Sequence, residues 1–200
     1  MKSILIENEI DFDMATKKPF VYYTPYISFI VQDLREREWE LGKITLAYNP
    51  KGPTASATNA RNNQEKIVVI YNSIITSHER LIAHLTETMD GAFPLWLSPV
   101  QVDLLSLSEK YNQYVSELYN ELIRDGIRCS INKTDETIQT KIRRAQLQKI
   151  PYMLIIGEKE IKTNSISLRN RDGQELGLIR IDEFITKIKS EINIEKNPPV

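Results

Sequence analysis

Between residues 137 and 157 no acid interrupts the chain, while Lys141, Arg143, Arg144 and Lys149 supply four positive charges. On a helix, Lys141 and Arg144 lie three apart and share a side, and Gln148 continues the row beside an apolar stripe. Contacts to a phosphate backbone need such a local concentration of charge rather than a high net charge. A solvated helix face is the competing reading. His78 and His84 lie six apart, which suits neither an i,i+4 zinc pair nor a catalytic dyad. Cys129 is the single cysteine, so no intramolecular disulfide and no Cys-rich zinc site can form. It alternates inward on a strand candidate, as a small hydrophobe does. Arg80, next to Glu79, either binds an anion or pairs with Glu79 or another nearby acid as a structural arginine. No metal and no cofactor is expected from these patterns.

The whole chain sets wider bounds. Its 200 residues are 41% hydrophobic and 26% charged, enough to bury a core without disulfides or metals. Lys and Arg number 26 against 27 Asp and Glu, and this balance of −1 argues against a basic coat or an acidic tail. Nothing approaches the roughly 18 apolar residues of a membrane helix. Glu7, Glu9, Asp11 and Asp13 make the start unlike a signal or transit peptide. The expectation is a soluble protein of the cytoplasm or an organelle interior, with no membrane partner.

The elements that must position these residues fall into two halves, 1–90 and 91–200. In the first, 27–31, 44–48 and 66–71 read as strands, and the polar stretch 49–65 reads as a loop. An amphipathic helix follows, with Leu81, Leu85 and Met89 at helical spacing and Ile74 and Ile82 thickening the stripe. Met89-Asp90-Gly91 ends it. In the second half, 102–107 is a buried strand and Ser108 offers an N-cap to a helix bearing Tyr111, Val115, Leu118 and Leu122. Gly126 closes that helix. Ile127, Cys129 and Ile131 alternate as a strand, and Thr134 or Asp135 caps a helix with Ile138, Ile142 and Ala145 inward. A central strand spans 152–156. Strands 165–168 and 176–179 flank an Asp172-Gly173 turn. Asp182 caps a last helix with Phe184, Ile185, Ile188 and Ile192, and the tail Asn197-Pro198-Pro199-Val200 cannot continue it. The order β-α-β-α-β-β-β-α predicts a three-layer α/β domain with a mixed sheet.

Four strings in the second half carry a family resemblance: Phe93-Pro94-Leu95-Trp96-Leu97-Ser98-Pro99-Val100-Gln101-Val102, Lys141-Ile142-Arg143-Arg144-Ala145-Gln146-Leu147-Gln148-Lys149, Ile150-Pro151-Tyr152-Met153-Leu154-Ile155-Ile156-Gly157 and Ser167-Leu168-Arg169-Asn170-Arg171-Asp172-Gly173. In this order they resemble the C-terminal third of threonyl-tRNA synthetases, which are class II aminoacyl-tRNA synthetases. The resemblance implies that 91–200 is an anticodon-binding domain and that 1–90 is an α+β remnant of the catalytic domain. Arg37-Glu38-Trp39-Glu40-Leu41-Gly42 and Glu79-Arg80 match the end of that domain. Lys43-Ile44-Thr45-Leu46-Ala47 replaces the family's Thr-Ile-Gln-Leu-Asp, and Tyr22-Tyr23-Thr24-Pro25-Tyr26-Ile27-Ser28 stands for Phe-Tyr-Gly-Pro-Lys-Ile-Asp. Tyr71 replaces a zinc-ligating histidine and Thr76 a glycine of the ATP-binding motif, in which Arg80 would meet phosphates.

The resemblance therefore implies a non-catalytic relative that binds threonine tRNA or another structured RNA. Arg169 and Glu160 take the places of base-reading residues, suited to donate to a guanine edge and to accept from base amines. Asp135 stands where the family has an asparagine, and Asp cannot donate a hydrogen bond. Lys141, Arg144 and Lys149 would contact the phosphates. Two other functions are implied. The chain could be the C-terminal subunit of a split synthetase, docked on a catalytic chain or on itself, or a structural subunit that uses its α/β domain for protein contacts.

Overall fold

A computed structural model describes residues 2–14, 25–47, 56–58, 64–66 and 69–196. Contacts divide the chain into two compact units, Met1–Leu81 and Ile82–Val200. The expected loop 49–65 falls largely outside the described residues, as do Tyr22-Tyr23-Thr24 and the tail 197–200.

In the first unit a short helix α1 (Lys2–Glu7) precedes β1 (Tyr26–Gln32) and β2 (Glu38–Ala47). Then come β3 (Ser56–Thr58), β4 (Gln64–Lys66) and β5 (Val69–Ser73), and α2 (His78–Thr88) begins. β1, β2 and β5 pair antiparallel in that order, while β3 and β4 form a separate ladder. β2 begins six residues ahead of the expected 44, because the turn before it is fixed by Asp33. That carboxylate accepts from the Arg35 and Arg37 amides at 2.9 Å each, from Arg37 Nε at 2.7 Å and from Trp39 Nε1 at 3.0 Å. The Trp39 indole, followed by the arginine groups, holds Asp33 far below the usual carboxylate range against its desolvation. At Gly42 an added Cβ would stand 2.4 Å from the Ile74 carbonyl oxygen, so glycine lets the segment after β5 cross β2. Thr76 fastens that crossing: its amide donates to Leu41 O at 2.7 Å, and its hydroxyl lies 3.1 Å from Glu40 O. Leu81, Leu85 and Met89 are half-buried as the helical stripe requires. Ile82 is 60% exposed, and Ile74, 74% exposed, lies ahead of α2 rather than on it.

The second unit is a five-stranded sheet between helices. Its elements are β6 (Val102–Ser106), a 3-10 turn (Glu109–Tyr111), α3 (Asn112–Arg124), β7 (Cys129–Asn132), α4 (Ile138–Leu147), β8 (Tyr152–Ile156), α5 (Glu158–Lys162), β9 (Ser165–Asn170), β10 (Glu175–Arg180) and α6 (Ile181–Lys196). The strand order is β10-β9-β8-β6-β7. β6 pairs parallel with β7 and β8, and β9 and β10 run antiparallel, which gives the mixed sheet that the sequence predicts. Every residue of β6 is buried, as a strand covered on both faces must be. On one face Val102, Leu104, Leu154, Ile156, Ile166 and Leu168 meet Val115, Leu118 and Leu122 of α3 and Phe184 and Ile188 of α6. On the other, Leu105 and Met153 meet Ala145 of α4 and Ile150, with Ile138 and Ile142 alongside.

Local details depart from the expected caps. The side chain that caps α4 is Thr137, which accepts from the Thr140 amide, and neither Thr134 nor Asp135 does so. Ser108 precedes the 3-10 turn without a side-chain cap bond, and Asp182 lies in the first turn of α6, paired with Arg180. Helix α5, only five residues long, has too little period to be seen in the sequence. Cys129 is a partly buried member of the first core, and burial pushes its thiol up to about 12. It is a protonated, unreactive hydrophobe at neutral pH.

Polar groups are also buried beneath α4. Lys141 is 3% exposed, and its ammonium donates to Ser106 O at 2.8 Å. Asp103, 6% exposed, accepts from the Ser130 hydroxyl at 2.6 Å. Burial pushes its carboxyl above the usual range, opposed by the Ser130 bond and by the charges of Arg144 and Lys141.

Two predictions follow from these layers. Leu154→Ala removes a side chain with 0% exposure at the sheet centre. It should cost about 2–5 kcal/mol in urea unfolding, and a loss below 1 kcal/mol would contradict the packing. Asp103 binds its proton more tightly folded than unfolded, so its contribution to stability is complete below about pH 4 and fades as pH rises through the raised folded value. Asp103→Asn stays neutral throughout. Wild type should therefore gain on this variant as pH falls from 7 to 4, and a constant difference would refute the buried carboxylate's role.

Candidate nucleic-acid interface

The pairing register lays out the face that α4 covers. Ser130, Asp103, Met153, Arg169 and Glu175 are successive cross-strand partners, one from each strand, and so share a face. A neighbouring row holds Asn132, Leu105, Ile155, Ser167 and Leu178. α4 has ten residues, enough to cover the β6–β8 centre of this face with its apolar side. The β9–β10 end carries Arg169, Ser167 and Glu175 together with the exposed Leu178.

Arg169 stands at that end, on β9. Its side chain is 25% exposed, and its guanidinium pairs with Glu175. Two residues away on the same strand face, Ser167 donates to Glu160 Oε1 at 3.1 Å, and the Gly157 amide donates to Glu160 Oε2 at 3.0 Å. The structure thus brings Glu160 and Arg169 to one face. Glu160, 8% exposed, has both oxygens engaged: Oε2 closes the first turn of α5 and Oε1 ties that turn to β9. The backbone at Gly157 is close-packed: an added Cβ would stand 2.4 Å from Leu107 Cδ1 and 3.1 Å from Glu160 Oε2, so the Leu107 side chain would have to move aside.

The expected cations of α4 separate. Arg144 is exposed and pairs with Glu136 at 2.6 Å. Glu136 is held below its usual range by the Thr134 hydroxyl and then by Arg144. Lys141 does not join Arg144 on the outer side as the helical spacing suggested. It is the buried ammonium under the helix, and Arg143 and Arg144 alone of the run are exposed on α4. Lys149 follows α4 in a left-handed conformation, φ 57°, and completes a Schellman stop with the Ile150 amide on Ala145 O at 3.1 Å. Its ammonium lies 3.0 Å from Asp90. Asp135 is exposed in the turn ahead of α4.

In the first unit, Arg80 stacks over the Trp39 ring, 5.7 Å from its centroid, and Arg37 lies 5.5 Å from the same centroid. Glu79 does not pair with it: its carboxylate takes the Ser77 hydroxyl at 2.7 Å, which with a helix-start amide keeps it below the ordinary range. Tyr71 is 61% exposed on β5. Among the described residues no group of three or more His, Cys, Asp or Glu could hold a metal, and no helix is long and apolar enough to cross a membrane.

Sequence reasoning missed the residues that hold the segment 93–101. Gln101, 1% exposed, donates to Leu95 O at 2.9 Å and accepts from the Arg128 amide at 2.9 Å. The Arg128 guanidinium donates to Ser98 O and to Trp96 O at 2.7 Å, and Arg171 donates to Phe93 O at 2.7 Å. Glu175 was missed as well, although pairing across the Asp172-Gly173 turn places it opposite Arg169.

Comparison with known proteins places this architecture. The family profile described as "Anticodon binding domain" matches residues 101–191, from the start of β6 into α6. The threonine–tRNA ligase of Buchnera aphidicola subsp. Acyrthosiphon pisum is 39% identical over 193 residues, 96% of this chain and 30% of the relative. That of Clostridioides difficile is 41% identical over 172 residues, covering 86% of this chain and 27% of the relative. The chain thus spans less than a third of the length of the curated relatives it matches. The crystal structure of the RNA binding domain of threonyl-tRNA synthetase from Cryptosporidium parvum Iowa II superposes with a TM-score of 0.78 at 30% identity, over 95% of this chain and 48% of the other. Over residues 101–191 the second unit accordingly matches the anticodon-binding domain family, and the chain as a whole is similar to the C-terminal part of threonyl-tRNA synthetases.

Proposed function

We propose that this chain binds tRNA, threonine tRNA foremost, through the α4 face of residues 91–200, and that it has no aminoacylation activity of its own. The observation that carries the reading is Arg169: a partly exposed guanidinium on β9, beyond the β6–β8 centre that α4 packs on, in a domain of anticodon-binding type. A guanidinium there can donate two hydrogen bonds to a guanine edge or to phosphate. Arg143 and Arg144, exposed on α4, add positive charge to the same domain. Glu160 acts on this reading by shaping the β9 face, since its carboxylate is spent on Gly157 and Ser167. Lys141 acts by seating α4, and Lys149 by stopping it.

The catalytic remnant, residues 1–90, supports the second half of the proposal through its substitutions. A phenol at Tyr71 is a poor metal ligand. Thr76, in the place of a flexible glycine, is tied by its own hydroxyl to β2. Arg80, the candidate phosphate contact, spends its cation on the Trp39 ring.

A second reading rests on Phe29, Ile30, Ile70 and Tyr71, which are 49–68% exposed on β1 and β5. A chain supplying the rest of a synthetase would cover them, making this protein a tRNA-delivering subunit. Co-purification with such a chain would favour that assembly.

The test is binding of the purified chain to threonine tRNA and to an unrelated tRNA across a salt series. Threonine tRNA should bind more tightly, and a changed anticodon should abolish the difference. Arg169→Ala should cost about 1–3 kcal/mol of affinity, the range of a lost two-point base contact. Equal, steeply salt-dependent binding of both tRNAs would reduce the function to a basic patch. No binding, or threonine-dependent ATP–pyrophosphate exchange by the chain alone, would overturn the proposal.

A further inference from the structure

The cation that would read a base is already occupied. Glu175 lies directly across from Arg169 in the β9–β10 ladder and takes its guanidinium as an ion pair. The two partners are unequally placed: Arg169 is 25% exposed, seated on the sheet, whereas Glu175 is 71% exposed and free to swing into solvent. The backbone maintains the opposition. Register slips between Glu175 and Gly177, so that Glu175 faces Arg169 while Gly177 faces Leu168 and Leu176 is the extra residue. Gly177 accommodates the slip at φ +91°. A bulge of this kind aims the side chain beside it.

A carboxylate presents two acceptor oxygens to a guanidinium, as the O6 and N7 edge of guanine or two phosphate oxygens do. Glu175 and an RNA acceptor therefore compete for the same N–H edge. We infer that Glu175 is an intramolecular competitor, a stand-in acceptor that holds Arg169 in the free protein and is displaced when RNA supplies a matching acceptor pair. The inference rests on the reading that Arg169 contacts RNA, and it adds how that contact is regulated. An exposed ion pair is weak enough to open, while a two-point base contact is stronger. The exchange favours RNA only where both acceptors are present. A base that offers one acceptor does not repay the lost pair, so Glu175 sharpens selection at that position.

Glu175→Gln tests this, since the amide keeps size and removes the charge. In the intact chain it should tighten threonine-tRNA binding about threefold to fivefold, the scale of an exposed ion pair. In an Arg169→Ala background it should change affinity by less than about 1.5-fold, because the competitor then has nothing to hold. Equal tightening in both backgrounds would mean simple loss of a repelling charge and would overturn the inference. Weaker binding by Glu175→Gln alone would show that Glu175 orients Arg169 and would overturn it too. Arg169→Ala with unaltered affinity would instead bring down the RNA-contact reading itself, a distinct result from either. Urea unfolding of each variant establishes that the fold is kept.

Discussion

A single ten-residue helix has to cover one face of a five-stranded sheet, and it cannot reach all of it. α4 shields the centre with Ala145, Ile138 and Ile142, and the buried ammonium of Lys141 on the Ser106 carbonyl clamps it to the end of β6. A charge so placed is tolerated because it is hydrogen-bonded and because Asp103 and its Ser130 partner supply compensating polarity nearby. Beyond the centre under α4, the sheet face carries Arg169, Ser167 and Glu175 beside the exposed Leu178. The row from Asp103 through Met153 to Arg169 and Glu175 records that change from covered to open across four strands.

The carboxylates of this face do more than balance charge. Glu160 closes α5, Glu136 draws Arg144 back towards the start of α4, and Glu175 holds Arg169. Free cations are consequently few, and the near-neutral composition of the whole chain recurs at the scale of the site. A surface of this kind selects by geometry more than by long-range attraction, since screened charges act over only about 8–10 Å in physiological salt.

The sequence made the sheet legible because strands covered on both faces are written as mostly apolar runs, unbroken at 152–156 and interrupted by Asp103 and Ser106 at 102–106. The Asp172-Gly173 turn fixed the hairpin for the same reason that the structure keeps it: few residues adopt the conformation there. Side-chain burial within α4 was not legible. Lys141 and Arg144 share a helix side by spacing, yet a long flexible stem let Lys141 turn beneath the helix to a carbonyl 35 residues earlier in sequence. The cap of α4 was misplaced because Thr134 and Asp135 are both N-cap residue types, whereas the helix starts later and is capped by Thr137. The role of Gln101 and Arg128 in holding 93–101 depends on contacts between distant segments, which no local pattern encodes.

Strand β6 pairs on both sides with strands that come later in the chain, Val102 with Cys129 on one edge and with Tyr152 on the other. During synthesis it leaves the ribosome with two open edges and an apolar sequence, and the second edge stays open until β8 has been made. Closing those long-range parallel pairings is slow compared with forming α3 or α4. The nascent chain therefore passes through an interval in which the strand it will bury most deeply is its most adhesive.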